Sequence, residues 1–337
     1  MRAVVLRELG EPEVLNVEDI PEPAIQSPTE IKVRIMAAGV NPIDTKLRQR
    51  GVFTDDGLPA VLGCDGAGIV IECGEAVTHF RPGDEVWYCN GGLGGLQGNY
   101  AEFAVLDETV CCRKPASLDF AHAAAGPLVL ITAWEAIFGR GRMTDGMSLL
   151  VHAGAGGVGH VAIQLAKQAG IRVLTTVSNQ EKQDFVRELG ADEVIDYTQG
   201  GFVDEVTRLT DGRGADMVLD CVGGSVFSDS IAATAHYGDL VTLLDPGTGI
   251  EWKEARNRNL RIGFTLMLTP MLRHLPQARI NQVAILSDCA EMIDSGCLKI
   301  AVNRILPFEQ AMEAHRLIEQ GGMIGKLVLS PEAGIDQ

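Results

Sequence analysis

Nothing in this chain narrows its fold more than the stretch His152-Ala153-Gly154-Ala155-Gly156-Gly157-Val158-Gly159-His160, which sets Gly154, Gly156 and Gly159 at G-x-G-x-x-G spacing. In a chain with 39 glycines that spacing alone says little. Its neighbours say more. A short apolar run of strand length, residues 147–152, precedes it. Val158, Val161, Ala162, Leu165, Ala166 and Ala169 follow at helical spacing on one face, and Gly170 stops the helix. Strand, glycine turn and helix are what a dinucleotide pyrophosphate needs. On this reading Gly154 permits the tight turn and Gly156 lets phosphates approach the backbone. Gly157, Val158 and Gly159 open the helix, whose free N–H groups and partial positive charge face an anion. Gly159 also lets the helix pack closely on the strand. The alternative is a glycine turn in an α/β domain with no ligand.

Reading outward from the turn, 337 residues lead to an expectation of two domains. A formal net charge of -17 argues against a nucleic-acid surface, because such binding sets Lys and Arg against phosphates. The same charge argues against anionic membranes and favours solubility. The longest apolar stretch, around Ala123 to Trp134, is broken by Pro127 and followed by Glu135, so it is not a membrane span. The eight cysteines include no C-x-x-C, and the N-terminal apolar run is too short for a signal peptide. Reduced thiols in a cytoplasmic protein are the expectation.

Residues 1 to about 120 read as β-rich, with strand-like runs at Val4–Leu6, Ile31–Ala37, Gly68–Cys73 and Asn99–Val105 between Pro and Gly punctuation. From Asp119 the character changes. Helical stretches at Phe120–Ala125 and Ile131–Phe138 flank Gly126-Pro127. Alternating units then follow: strand 147–152 with helix 157–169, strand 172–177 with helix 180–189, strand 194–196 with helix 201–209, strand 216–221 with helix 225–235, and strand 240–244. That alternation predicts a parallel sheet with helices on both faces. Helices near 281–294 and 308–320 precede Lys326-Leu-Val-Leu329, a strand-like run positioned to return to the first domain.

Several ordered blocks resemble a known family: Ala38-Gly-Val-Asn-Pro-Ile-Asp44, Leu62-Gly-Cys-Asp-Gly-Ala-Gly68, Phe80-Arg-Pro-Gly-Asp-Glu-Val86, the glycine fingerprint, Ala191-Asp-Glu-Val-Ile-Asp-Tyr197, Asp216-Met-Val-Leu-Asp-Cys-Val-Gly-Gly224 and Gly321-Gly-Met-Ile-Gly-Lys326. The chain resembles the zinc-free medium-chain dehydrogenase/reductases of the NADPH:quinone oxidoreductase group. The resemblance implies an α/β fold: a Rossmann doubly wound parallel sheet inserted in a GroES-like β-rich domain. The domains would be 1–120 plus 270–337 (GroES-like, catalytic) and 121–269 (Rossmann, NADPH-binding), with the cofactor in the cleft between them. It also implies a homodimer, with the stretch from strand 240–244 to about 268 pairing across a two-fold axis.

Zinc relatives carry a Cys just after the A-x-G segment and a His after the Gly before the acidic residue. Here those positions are Asn41 and Cys64. Asn is a poor zinc ligand and Cys64 lacks a partner, so no metal is expected. Without a Lewis acid the chemistry shifts from alcohol oxidation towards hydride delivery to electron-poor acceptors. For the cofactor, the second strand ends in Ser178-Asn179 with no carboxylate at its tip, and Lys182 follows. An NAD site would place an acidic residue there to hold the ribose 2′-OH. By resemblance Ser178, Lys182 and Tyr197 would contact a 2′-phosphate, which makes NADPH the expected cofactor. Lys182 also reads as an ordinary solvated helix residue.

Hydride transfer is the cofactor's own chemistry; the protein positions it and stabilises charge developing on the acceptor. The polar candidates are Asn41 and Asp44. Asn41 is read as a donor to a carbonyl or to the cofactor, or as the cap of a helix starting at Pro42. Asp44 is read as a proton donor or as a first-turn helix carboxylate. Thr132 joins them as a candidate beside the nicotinamide, or serves helix packing. Leu243, Leu266 and Met267 read as apolar cleft walls or core, with Leu243 counted among the cofactor contacts. Gly325 and Lys326 resemble a segment closing on the nicotinamide side, with a water-facing Lys326 as the alternative. His152 and His160 are assigned no chemistry. The expected activity is NADPH-dependent reduction of quinones or similar electron-poor carbonyls. Reduction of an activated C=C bond in an enal, enone or enoyl thioester, and a non-catalytic NADPH-binding role, are the alternatives.

Overall fold

The computed structural model describes residues 1–53 and 57–331. Segments 54–56 and 332–337, which fall in the span assigned to the GroES-like domain, lie outside the described residues. The strands are β1 (Arg2–Leu6), β2 (Leu15–Asp19), β3 (Glu30–Val40), β4 (Ala60–Val61), β5 (Asp65–Cys73), β6 (Glu85–Cys89), β7 (Phe103–Asp107), β8 (Cys111–Arg113), β9 (Ser148–Val151), β10 (Arg172–Val177), β11 (Glu193–Asp196), β12 (Ala215–Asp220), β13 (Thr234–Thr242), β14 (Arg261–Phe264), β15 (Val302–Pro307) and β16 (Lys326–Ser330). The α-helices are α1 (Pro42–Arg50), α2 (Phe120–Ala125), α3 (Pro127–Trp134), α4 (Gly157–Gln168), α5 (Gln180–Glu188), α6 (Phe202–Leu209), α7 (Ser225–Ala233), α8 (Trp252–Asn257), α9 (Thr269–Leu272), α10 (Pro276–Asp294) and α11 (Ala311–Gln320). They form two compact units. One contains Met1–Leu128, Leu268–Gly296 and the chain from Ile300 onward; the other contains Val129–Met267 and Cys297–Lys299. This is the mixed α/β fold, a GroES-like part and a parallel doubly wound part, that the sequence blocks imply.

In the first unit β3 is the organising strand. Its outer half alternates: Ile31, Val33 and Ile35 are buried while Lys32, Arg34 and Met36 are less so, the period of a strand with one covered face. Its inner half, Ala37 to Val40, is buried throughout, because α2 packs on it. The sheet runs β15-β16-β3-β5-β6-β8, with β7 also paired to β3. The last strand, β16, lies antiparallel to β3, with Leu327 opposite Val40 and Leu329 opposite Ala38. Leu6, Val40, Leu62, Phe308, Leu327 and Leu329 share one core, so residues from the N-terminal segment and from the segment after Ile300 close it. Helices α1 and α11 pack together, with Arg48 fully buried and paired to Glu319. Arg48 Nε also donates to the Gly10 carbonyl at 3.0 Å.

In the second unit six strands lie parallel in the order β11-β10-β9-β12-β13-β14. The order reverses between β9 and β12, which is where such sheets hold a ligand outside their C-terminal edge. Strands β9, β10 and β12 are buried almost end to end, with Ser148, Thr175, Thr176 and Asp220 buried among their apolar residues. Leu150, Leu174, Val218 and Leu240 line the core of this unit.

Several expected elements are corrected; the helix expected at Ile131–Phe138 begins at Pro127, and the strand expected over 240–244 ends at Thr242. The helix anticipated over 225–235 ends at Ala233, and β13 already starts at Thr234, a β-branched residue suited to a strand. The helix anticipated from 281 begins at Pro276, which supplies the fixed φ of a first helical position. Strand β14 went unread, because Arg-Ile-Gly-Phe is not an apolar run and none of its residues is buried. Among the described residues no helix is long and apolar enough to cross a membrane.

The Arg48–Glu319 pair carries a prediction. Glu319→Ala leaves a guanidinium buried with fewer acceptors. It should lower unfolding free energy by about 2 kcal/mol, read as a fall in the urea midpoint, with Glu319→Gln losing less.

Candidate functional site

The glycine turn is built by backbone contact. Gly154 donates its N–H to the Thr176 carbonyl at 3.1 Å, which ties the turn to β10. A Cβ on Gly154 would fall 1.9 Å from Thr175 Oγ1, so no side chain fits between turn and strand. A Cβ on Gly159 would lie 2.3 Å from the Ala153 carbonyl oxygen. The sequence reading gave Gly154 the conformational task in the turn, and the structure moves it. The residue in the left-handed region is Ala153, with φ 53°, while Gly154 is required for close packing. Gly159 likewise packs on the turn itself. Gly156 donates to Ala153 O at 2.9 Å and stands at the cap position of α4. The first N–H groups of that helix, from Gly157, Val158 and Gly159, have no intrahelical acceptor by helix geometry. They are the groups an anion would meet.

The neighbouring strand tips fall at the same edge of the sheet. At the end of β10, Lys182 Nζ donates to Ser178 Oγ at 3.1 Å, and Asn179 Oδ1 caps α5 by accepting from Lys182 N at 2.9 Å. Tyr197, just past β11, is 52% exposed, so its hydroxyl is free to reach a ligand. Leu243 follows β13, half-buried, and donates its N–H to Asp220 O at 3.1 Å. Thus Gly154, Gly156, Gly157, Val158, Gly159, Ser178, Lys182, Tyr197 and Leu243 gather along one C-terminal edge. Thr132 is buried in α3.

In the first unit, Asn41, Asp44, Gly325 and Lys326 come together because β16 pairs with β3. Gly325 has φ 72° and a Cβ there would lie 2.4 Å from the Ala301 carbonyl oxygen, so the approach to β16 demands glycine. Lys326 is 3% exposed, which overturns the water-facing alternative. Its ammonium donates to Val40 O at 2.7 Å and to Asn41 Oδ1. Asn41 is fully buried, and its Nδ2 donates to Asp65 Oδ2 at 2.9 Å. An ammonium only donates and a carboxylate only accepts, so the amide orientation of Asn41 is forced. Asp65 Oδ1 accepts from Leu128 N at 2.8 Å.

Asp44 sits in the first turn of α1. Its Oδ2 accepts from Asn41 N at 2.8 Å and from the Tyr100 hydroxyl at 2.9 Å. The helix-turn reading of Asp44 therefore describes its geometry. Burial pushes the Asp44 carboxyl up to about 7, against the pull of the Asn41 N–H, the Tyr100 hydroxyl and the Lys326 charge. Burial likewise pushes Asp65 up to about 6, opposed first by Lys326 and then by Asn41. The Lys326 ammonium is pulled below its ordinary value by burial, with Asp65 and Asp44 acting the other way.

Asp65 and Tyr100 went unread as site residues. The one local signal for Asp65 is an acidic residue between Cys64 and Gly66 in an otherwise apolar run. Cys64 is buried, its thiol held well above the ordinary value by a hydrogen bond to Cys89 and by burial. Among the described residues no three His, Cys, Asp or Glu side chains are grouped so as to hold a metal ion. The positions that would ligate zinc in a zinc relative hold instead an amide clamped by an ammonium, and a protonated thiol.

Residues 27–116 match the alcohol dehydrogenase GroES-like domain, and residues 189–329 match the zinc-binding dehydrogenase domain. A quinone oxidoreductase of Pseudomonas aeruginosa is 34% identical, with 96% of this chain and 97% of that protein covered. Among solved structures, the Escherichia coli quinone oxidoreductase complexed with NADPH has a TM-score of 0.87 at 28% identity, covering 98% of this chain and 100% of the other. An NAD-dependent alcohol dehydrogenase has a TM-score of 0.88 at 35% identity, again over 98% of this chain and 100% of the other. This chain belongs to the medium-chain dehydrogenase/reductase family. Within it the chain is an oxidoreductase of the quinone oxidoreductase type.

The raised carboxyls set a pH dependence whose sign is fixed. A carboxyl held above its unfolded value keeps the folded state more protonated, so its contribution to stability falls as pH rises through that window. Asp44→Asn removes this contribution. Relative to wild type, the variant should gain stability as pH rises from about 4 towards about 7. Urea midpoints of both proteins across that range test this; a pH-independent difference would refute the assignment.

Proposed function

We propose that this protein is an NADPH-dependent reductase that delivers a hydride to quinones, or to similarly electron-poor carbonyl acceptors, without a metal. The observation that carries the reading is the clamp of Lys326, Asn41 and Asp65. It sets an ammonium and its amide partner where a zinc relative would need a thiolate, which supports chemistry that does without a Lewis acid. The P. aeruginosa relative and the E. coli structure, both quinone oxidoreductases by name, support the acceptor class.

The second unit fits the cofactor. The turn from Ala153 to Gly156 and the first N–H groups of α4 would hold the pyrophosphate. Ser178 and Lys182, already hydrogen-bonded to each other, would hold the 2′-phosphate together with Tyr197, and no carboxylate at the β10 tip repels it. Leu243 would supply an apolar wall, and Thr132 a polar contact near the ring. When bound, the nicotinamide supplies the hydride. On the protein side, Asn41 is held in one orientation by two charged neighbours. Asp44 is the carboxyl whose raised value leaves a proton available near neutrality. The Lys326 charge stabilises negative charge growing in its surroundings.

The test is to follow NADPH oxidation with 9,10-phenanthrenequinone, an enone and an aldehyde, each with and without a chelator. Quinone turnover that survives chelation is the expected result. Turnover of the enone alone would move the activity to C=C reduction. Loss of turnover on chelation would sink the metal-free reading, and NADPH binding with no turnover would point to a non-catalytic role. In the same assay Lys182→Ala should raise the apparent constant for NADPH about tenfold and leave that for NADH unchanged. Equal efficiency of wild type with both cofactors would count against NADPH specificity.

A further inference from the structure

Just before the glycine turn stands His152, 1% exposed, with a hydrogen-bond partner at each ring nitrogen. Its Nε2 lies 2.9 Å from Ser230 Oγ, on α7. Its Nδ1 lies 3.1 Å from Thr176 Oγ1, on β10. The protons along this line can be assigned by elimination. Ser230 has one hydroxyl proton and donates it to Val226 O at 2.6 Å. Ser230 Oγ must therefore accept, so His152 Nε2 carries a hydrogen. At the other end, Thr176 Oγ1 accepts from Ala153 N–H at 3.2 Å. Burial keeps the ring neutral, so with the hydrogen on Nε2 the other nitrogen is bare and Nδ1 accepts the Thr176 hydroxyl proton. The form that satisfies both partners is the Nε2–H imidazole; burial pulls the ring down to about 4, only partly opposed by the Asp220 carboxylate. Phe202 packs edge-on against it, with ring centroids 4.6 Å apart.

The result is one line in which every hydrogen bond points the same way: Ala153 N–H to Thr176, Thr176 to His152, His152 to Ser230, Ser230 to the carbonyl of Val226. Bonds aligned in this way polarise one another. The line starts at Ala153, the residue that carries the turn's left-handed backbone, a conformation costly for a side chain with a Cβ. Its amide has no acceptor other than Thr176 along this line.

We propose that His152 is a positioning residue for cofactor binding: as the neutral Nε2–H imidazole it orients the Thr176 hydroxyl, which fixes Ala153 and so holds the glycine turn in the shape that receives a dinucleotide pyrophosphate. It acts through Thr176 and touches no cofactor atom. This inference rests on the turn being a pyrophosphate cradle and is independent of which acceptor is reduced.

Four variants and one spectrum test it. NADPH dissociation constants are measured by fluorescence for wild type, Thr176→Val, Thr176→Ser and His152→Phe, with the double variant Thr176→Val/His152→Phe. Thr176→Val and His152→Phe should each weaken binding about tenfold. The double variant should be no weaker than either single, because both cut one line. Thr176→Ser keeps the hydroxyl and should bind like wild type, a rescue that loss of packing alone would not give. Histidine-selective ¹⁵N spectra should show a His152 ring protonated at Nε2 and bare at Nδ1. Unchanged affinity in Thr176→Val, fully additive losses, or the opposite tautomer would overturn the proposal. If His152→Phe does not fold, the Thr176 pair and the spectrum still decide. Wild type that fails to bind NADPH at all would instead overturn the cradle reading beneath it.

Discussion

A buried ammonium joins the last segment of the first unit to its N-terminal segment. Lys326 opens β16 and reaches back to Val40 and Asn41 at the end of β3. Taking an ammonium out of water is costly unless its protons are matched, so this contact demands its acceptors in place. It therefore constrains β16 to one register on β3, forces the Asn41 amide into one orientation, and holds Asp65 beside it. Asp44 and Tyr100 lie in the same buried region, so the titration of Asp44 is tied to the same charge. The chemistry available to this unit follows from how that positive charge is neutralised, by two carboxyls that burial makes reluctant to ionise.

The second unit is governed by a different constraint, the closeness of backbone to backbone. The glycine turn lies so near β10 and the start of α4 that Cβ atoms on Gly154 or Gly159 would overlap their neighbours. Tightness of this kind leaves the helix N–H groups converging on one spot. It also shifts the strained backbone onto Ala153, which then needs its amide secured. The Thr176–His152–Ser230 line does that, and it carries the turn's geometry into β10 and α7.

Most of the second unit was legible in the sequence, because short strand-like stretches alternate with helical ones and the glycine spacing is local. Ser178 and Lys182 were readable as neighbours for the same reason: a strand tip and the first turn of the next helix adjoin in the chain. Asp65 and Tyr100 were not found. Each acquires its partner only through strand pairing and packing at a distance, Asp65 with Asn41 across 24 residues and Tyr100 with Asp44 across 56. The role of Gly154 was misread in part because spacing cannot say which residue of a turn has a positive φ.

The sequence by itself determined the alternation that makes the parallel sheet, the fingerprint at its switch point, the absence of a carboxylate at the β10 tip, and the family. All of these are patterns of local periodicity or of residue type at a fixed spacing. The tertiary structure alone decided that Lys326 is buried, that Asn41 is clamped between opposite charges, that burial raises the Asp44 carboxyl, and that His152 lies between the Thr176 and Ser230 hydroxyls. Those properties depend on desolvation and on hydrogen-bond partners from distant segments, and neither exists until the chain has closed on itself.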